Sequence, residues 1–226
     1  MRTLTHNAEP GTNPDLCIAL LTGSYSQPED FVREGFPQAV RAQGIAAEIV
    51  MAEMRAAWFA DGSIIERIHE HVVRPARARG HRRIWLAGIS LGALASLCYA
   101  ARHEDVIEGI LLLSPYPATR EVLREMEQAG GLGRWNPVIP PQGDLEREAW
   151  MFLADRGQDG PQVHCYFASG DRFAEGQRLM AEALAPECVR EVPGGHDWPA
   201  WRQLWGDFLA RSKADLHRQH APGGTV

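Results

Sequence analysis

The feature that most constrains this chain is the segment 83–92, a short apolar run that ends in Gly-x-Ser-x-Gly around Ser90. Residues 84–87 are typical of a buried strand, and apolar residues recur at helical spacing among alanines from Leu91 to Ala101. This order predicts a strand, a sharp turn and a helix, with glycines where the two elements pass too closely for side chains. Ser90 is therefore the candidate nucleophile. A Gly-Ser turn without chemistry is the alternative.

Apolar runs and helical segments alternate along the rest of the chain. The other predicted strands are residues 15–21, 45–51, 106–113, 163–168 and 188–192. Such alternation predicts an α/β fold, in which an open, mostly parallel sheet is flanked by helices. Ligands of these sheets meet the loops at the carboxyl ends of the strands. The length of 226 residues suits a single domain, 1–226.

Three parts of the chain depart from this alternation. Residues 1–14 and 214–226 lack periodicity and are predicted to be flexible ends. Residues 116–161 form an insert between two strands, in which two helical pieces flank a Gly- and Pro-rich stretch through Pro141. Aromatic residues on a loosely structured segment predict a lid or cap over the site. A surface excursion that only shields the core is the alternative.

Local signals predict where individual helices begin, bend or end. A helix over 29–42 contains Pro37, which predicts a kink or a break. Ser63 and Glu66 have the spacing of a capping box at the start of the next helix. Pro75 marks the end of that helix or a bend in it.

Two further strand ends carry the residue types that a serine nucleophile needs. Asp171 follows the predicted strand 163–168, and His196 follows the last strand. A serine hydroxyl needs a base, which a third group must orient, and the chain order Ser, Asp, His is that of α/β-hydrolases. The alternatives are that Asp171 only caps the helix beginning near Phe173, and that His196 is an ordinary loop histidine.

Neighbouring acids are assigned other roles. Asp155 and Asp159 are rival candidates for the acid, but they lie in the insert and not at a strand end. Asp197 is predicted to be the N-cap of the last helix, with Pro199 in its first turn.

The tetrahedral intermediate of ester cleavage needs two amide donors for its oxyanion. The amide of Leu91, at the start of the nucleophile helix, is predicted to be one. The loop after residue 21 is expected to supply the other, from Gly23 or Ser24. The predicted pocket wall is aromatic and consists of Trp58, Phe59, Tyr116, Trp135 and Trp150.

From about residue 15 to 212 the chain resembles an α/β-hydrolase. Its segment 194–202, Gly-Gly-His-Asp-Trp-Pro-Ala-Trp-Arg, is similar to the ending of esterases of the enterochelin-esterase and mycolyltransferase kind. The resemblance implies Ser90, Asp171 and His196 as the catalytic triad and ester hydrolysis as the activity.

Composition excludes several other classes of protein. The net charge of −6, with basic residues scattered except over 74–83, argues against nucleic-acid binding. Residues 1–14 contain no apolar run with the length of a signal-peptide core, and the apolar run 16–21 is too short to span a membrane, so a cytoplasmic location is expected. There is no His-Glu-x-x-His or Cys-x-x-Cys, so neither a metal nor another cofactor is predicted. The cysteines are expected to be free thiols in a reducing compartment; they are Cys17, Cys98, Cys165 and Cys188.

These observations predict a serine hydrolase that cleaves carboxylic esters through an acyl-enzyme intermediate. The expected partner is a small-molecule acyl ester, and a homodimer is compatible with the sequence. A thioesterase or acyltransferase using the same triad is one alternative. A non-catalytic binding protein with an α/β-hydrolase fold is another.

Overall fold

The described part of the chain, in a computed structural model, comprises residues 1–8, 14–139, 143–156 and 160–217. Within it, seven strands form one sheet in the order β1-β3-β2-β4-β5-β6-β7. The strands are Thr3–His6 (β1), Leu16–Leu21 (β2), Ala47–Ala52 (β3), Arg83–Ile89 (β4), Gly109–Leu113 (β5), Gln162–Ala168 (β6) and Val189–Val192 (β7). Only β1 is antiparallel to its neighbour, which confirms the predicted α/β class and mostly parallel sheet.

The helices cover both faces of this sheet. They are Pro28–Arg33 (α1), Phe36–Ala42 (α2), Ala56–Ala60 (α3), Ile64–Ile68 (α4), Arg74–Ala78 (α5), Leu91–Arg102 (α6), Arg120–Ala129 (α7), Leu145–Asp155 (α8), Ala174–Ala181 (α9), Trp198–Arg211 (α10) and Lys213–His217 (α11). Along β2, Cys17 and Ala19 pack into one apolar cluster with α3 to α9, whereas Leu16 and Ile18 pack into a second with α1, α2, α10 and α11. The strand is therefore buried on both faces, as its continuous apolar run predicts.

The register of the central strands sets the position of the turn at Ser90. Leu21, the last residue of β2, pairs with Gly88 on β4. Ile89 pairs with Leu113, the last residue of β5. The loops after β2, β4 and β5 therefore leave the sheet at one edge, which is where ligands bind in parallel sheets of this kind.

The predicted helix over 29–42 is two helices, with the break at Gly35. This glycine has φ +79°, a left-handed conformation that residues with a Cβ rarely adopt. Pro37 lies within the first turn of α2, where a proline is tolerated. The predicted break is confirmed, but it precedes the proline.

The predicted capping box at Ser63 is wrong. Ser63 already has helical backbone angles, and its side chain makes no cap hydrogen bond. Its Oγ instead accepts from Arg67 Nε at 2.9 Å, while its own amide donates to Asp61 Oδ1. Farther along, a π-helical turn over His69–Val73 separates α4 from α5, just ahead of Pro75. Proline has no N–H for the helical ladder, so the interruption predicted there has a direct cause.

Both predicted flexible ends contain ordered structure. Thr3–His6, within the expected leader, forms the edge strand β1 and pairs with β3. In the expected tail, Lys213–His217 forms α11, in which Leu216 is buried. The Arg83 guanidinium donates to the carbonyl of Leu216 at 3.2 Å. Residues 9–13 and 218–226 of these predicted ends lie outside the described residues, as does Pro141 of the insert.

Candidate active site

The predicted strand, turn and helix around Ser90 are present as β4 and α6. Ser90 has φ 54° and ψ −112°, outside the favoured regions for residues with a side chain. A Cβ added to Gly88 would lie 2.1 Å from the Gly92 backbone, and one added to Gly92 would lie 2.3 Å from the Leu21 carbonyl oxygen. Both glycines are thus required by close backbone approach, as the motif predicts.

Neighbouring backbone holds the strained serine in place. The Ser90 amide donates to the Leu113 carbonyl at 3.0 Å, and the Ser90 carbonyl accepts from the Tyr116 amide at 3.1 Å. The loop after β5 therefore fixes the turn after β4. Strained backbone persists only where surrounding contacts determine it, and such residues cluster at functional sites.

Asp171 and His196, which follow β6 and β7, form a hydrogen-bonded pair. His196 Nδ1 lies 2.7 Å from Asp171 Oδ2. The Asp171 side chain has no exposed surface, and that of His196 retains 12%. The imidazole is packed edge-on between the rings of Phe173, at 5.3 Å, and Trp201, at 5.2 Å. The two residues are held at one position by a polar bond and by ring packing.

The carboxylate of Asp171 is stabilised in its charged form. Burial alone would raise its pKa, but hydrogen bonds from His196, the Phe173 amide and Gln177 outweigh that effect and hold the pKa below its ordinary value. The bond from the Phe173 amide, 2.9 Å long to Oδ1, is the capping interaction considered as the alternative role of Asp171. One carboxylate makes both interactions because it has two oxygens.

The rival acids differ in their surroundings. Asp155 is exposed at the end of α8. Asp159 lies outside the described residues. Asp197 caps α10 by accepting from the Ala200 amide at 3.1 Å, as predicted.

A cavity of ≈ 340 Å³ opens at Ser90. Its lining consists of Ser24, Ala56, Phe59, Ser90, Leu91, Leu94, Tyr116, Glu146, Arg172 and Phe173. Of the predicted aromatic wall, Phe59 and Tyr116 are present. Phe173 links the two parts of the site, because its ring lines the cavity and also contacts His196.

Three predicted wall residues do not line this cavity. Trp150 is completely buried, and its Nε1 donates to the Pro117 carbonyl at 2.8 Å. Trp58 belongs to the core beneath α3, with the Arg67 guanidinium 4.7 Å above its ring. Trp135 packs against the same core. Aromatic residues on segments without clear periodicity are predicted to line the pocket, but these three side chains pack in or against the hydrophobic core.

Five lining residues were missed. Arg172 and Phe173 directly follow Asp171 on the loop after β6. Their position next to a predicted site residue is a signal that could have identified them as lining residues. Ala56, Leu94 and Glu146 carried no such signal, because each lies on a helix whose exposed and buried positions depend on tertiary packing.

The predicted oxyanion donors lie beside Ser90. Leu91 is the first residue of α6, where an amide has no intrahelical acceptor. A Cβ built on Gly23 would be 3.6 Å from Ser90 Cβ, so the loop after β2 passes close to the serine. Among the described residues, the amides of Gly23 and Ser24 donate to no protein acceptor.

The described residues contain no cluster of three or more metal-ligating side chains. None of the helices in the described ranges is long and apolar enough to cross a membrane. All four cysteines are free.

Comparison with known proteins identifies a family and solved structures with a similar fold. Residues 63–211 match the family described as "Putative esterase". No curated protein sequence matches the chain.

Among solved structures, fluorophosphonate-binding serine hydrolase F of Staphylococcus aureus is similar, with a TM-score of 0.65 and 14% identity over 92% of this chain and 90% of that chain. Est1E from Butyrivibrio proteoclasticus with ferulic acid bound has a TM-score of 0.61 and 16% identity, with coverages of 94% and 95%. An S-formylglutathione hydrolase from Agrobacterium tumefaciens has a TM-score of 0.58 and 13% identity, with coverages of 95% and 94%. At these identities the similarity shows the shared α/β-hydrolase-type fold.

Proposed function

Because the chain belongs to the esterase family, whose profile it matches over residues 63–211, we propose that it hydrolyses carboxylic esters with Ser90 as nucleophile. His196 is the general base, and Asp171 orients its imidazole. The observation that carries the proposal is the 2.7 Å bond between His196 Nδ1 and Asp171 Oδ2, beside a cavity that opens on a strained serine.

The chemistry follows from the roles of these groups. The His196 imidazole takes the Ser90 hydroxyl proton as Oγ bonds to the ester carbonyl carbon. The Leu91 amide and a Gly23 or Ser24 amide stabilise the resulting oxyanion. Collapse breaks the bond to the alkoxy oxygen, and the alcohol leaves with the proton from His196. Water then attacks the acyl-enzyme with the same base, which releases the acid and restores Ser90.

The imidazolium formed in each step needs a negative partner. Asp171 supplies it, since the hydrogen bonds to this carboxylate keep its pKa low. Its bond to Nδ1 also leaves Nε2 as the nitrogen that can accept the serine proton, which is the tautomer the mechanism requires.

A thioester is a second candidate substrate. The relative from Agrobacterium tumefaciens is named as an S-formylglutathione hydrolase, and an S-acyl substrate reacts through the same acyl-enzyme. An acyltransferase differs only in the acceptor that replaces water. We also propose a cytoplasmic location and a homodimer. Light scattering of the purified protein tests the homodimer.

Ser90→Ala tests the main proposal. We expect it to lower the hydrolysis of p-nitrophenyl esters by about 10⁴-fold or more and to abolish labelling by a fluorophosphonate, since the nucleophile is lost. Esters of increasing acyl length, compared with an acyl-thioester, define the substrate.

Ser96→Ala is the matched control. The Ser96 hydroxyl is buried on the same helix and donates to the Gly92 carbonyl at 2.9 Å. We expect this variant to keep activity and labelling. Equal labelling of wild type and Ser90→Ala would contradict the proposal and indicate a different nucleophile, whereas no labelling of the wild type would favour a non-catalytic binding protein.

A further inference from the structure

Gln177 is a buried polar residue that the mechanism above does not use. It lies on α9 and has no exposed surface. Its Nε2 donates to Asp171 Oδ2 at 3.1 Å and to the Pro115 carbonyl at 3.0 Å. Both acceptors require a donor, so the hydrogen-bond network defines which end of the amide is the NH₂ group.

The two acceptors belong to different parts of the site. Pro115 lies between Ser114, which has φ +44°, and Tyr116, whose amide holds the Ser90 carbonyl. Asp171 holds His196. Gln177 is therefore the side chain that connects the nucleophile turn, through the loop after β5, with the carboxylate and imidazole that follow β6 and β7.

The other end of the Gln177 amide indicates that this position is not optimised for stability. Among the described residues, its Oε1 is buried without a hydrogen-bond partner. A buried acceptor without a partner destabilises the folded protein, and an apolar side chain of similar shape would avoid that cost. The two hydrogen bonds that Nε2 donates explain why an amide can be favoured at this position despite that cost.

We propose that Gln177 is a positioning residue that fixes the Asp171 carboxylate relative to the Ser90 turn. The inference rests on the proposed function. Gln177 does not line the cavity, so it acts through Asp171 and not on the substrate. Its donated bond removes electron density from Oδ2, the oxygen that also accepts from His196, and so lowers the proton affinity of the Asp171 carboxylate.

Gln177→Met and Gln177→Leu test this role. Both side chains are close to glutamine in size and have no hydrogen-bond donor, so both remove the bond to Asp171 Oδ2. Because a hydrogen bond to a charged group is lost, we expect kcat/KM to fall by about tenfold to a hundredfold in Gln177→Met, mainly in kcat. We also expect the acidic limb of the kcat/KM profile to move to higher pH in both variants.

A spectroscopic measurement makes the test independent of turnover. The proton between His196 and Asp171 should give a low-field proton NMR resonance, and both Gln177 variants should shift it. Met180→Leu is the control, because Met180 is equally buried on the same helix and bonds to nothing in the site. This variant should leave the resonance and the pH profile unchanged. Thermal melts identify any variant that does not fold, and the NMR shift of the second Gln177 variant then decides.

The outcomes separate the two proposals. If Ser90→Ala eliminates labelling while both Gln177 variants keep the wild-type resonance and pH profile, the positioning role is wrong and the proposed function stands. If Ser90 is not labelled, the proposed function fails, and the resonance still reports whether Gln177 acts on Asp171. A loss of activity in Gln177→Met that is uniform with pH and leaves the resonance in place would overturn the inference.

Discussion

At Gly88 and Gly92 the strand and the helix on either side of Ser90 are in backbone contact. The sequence motif predicts this contact because glycine permits an approach that a Cβ forbids. The distances show how little space remains, since an added Cβ at Gly88 would lie 2.1 Å from Gly92. Ser90, which lies between the two glycines, lines the cavity.

Gly88→Ala is therefore expected to destabilise the fold by about 3 kcal/mol or more, because the backbone of α6 must move away from β4. Gly206→Ala on α10 is the control. Its added Cβ meets nothing within 4 Å, so it should be neutral or stabilise the protein by about 0.5 to 1 kcal/mol. Urea denaturation measures both effects. Equal stability of the two variants would contradict the close contact.

Of the polar residues expected at the site, Asp171 and His196 are hydrogen-bonded to each other, whereas three of the five expected wall residues lie in or against the core and do not line the cavity. Ser90, Asp171 and His196 follow parallel strands, and the carboxyl ends of such strands share an edge, so the chain order predicts that they lie on the same side of the sheet. The chain order does not predict which residues form the wall of the cavity. Trp150 and Phe59 are both aromatic and both near loops, but one fills the core and the other lines the cavity. Only the packing of α3 and α8 distinguishes them.

At the scale of single elements, the N-termini of the helices show when local sequence is sufficient to predict a capping residue. Asp197 was predicted to cap α10, and its carboxylate accepts from the Ala200 amide. Ser63 was predicted to cap α4 on equally good spacing, but Asp61 already binds the Ser63 amide and Ser63 itself is helical. A spacing rule cannot choose between two neighbouring acceptors that compete for one turn.

We expect Asp197→Ala to destabilise the protein by about 1 kcal/mol, since an orphan amide of α10 loses its acceptor. Ser63→Ala should change stability by less than about 0.5 kcal/mol. Thermal unfolding followed by circular dichroism compares the two variants. A larger loss in Ser63→Ala than in Asp197→Ala would show that the observed caps are misassigned.

Strand β1 marks the limit of strand prediction. The central strands are continuous apolar runs because both of their faces are covered. Thr3–His6 is polar and only half-buried, and it pairs on one side as an edge strand. Its stability comes from pairing with β3, a long-range interaction that the four residues do not encode.

At the scale of the whole molecule, the reactivity of the free thiols measures how well the folded domain protects its interior from solvent. Burial raises the pKa of Cys17 and of Cys165 to about 12, and it raises that of Cys98 as well. Cys188 is less buried than the other three, and its pKa is also raised by burial. Since the thiolate is the reactive form, the first three should be inert in the folded state.

We expect a disulfide reagent such as dithionitrobenzoate to modify Cys188 alone at about pH 8 in the native protein, and all four cysteines after denaturation. Cys188→Ser should abolish the native reaction and leave three reactive thiols in the denatured chain. Rapid reaction of a second native thiol would mean that the sheet and its helices open far more readily than their packing indicates.

The order of strands across the sheet also has a consequence during protein synthesis. Ser90 follows the central strand β4, whereas His196 follows β7, the strand at the far edge, and its ring packs against Trp201 of α10. Domains acquire structure as the chain leaves the ribosome, from the amino end onward. A nascent chain that has emerged only as far as β6 holds Ser90 without His196. Under the proposed mechanism, activity is therefore acquired only when the last strand and helix are complete, and translation products cut short before them would be inert.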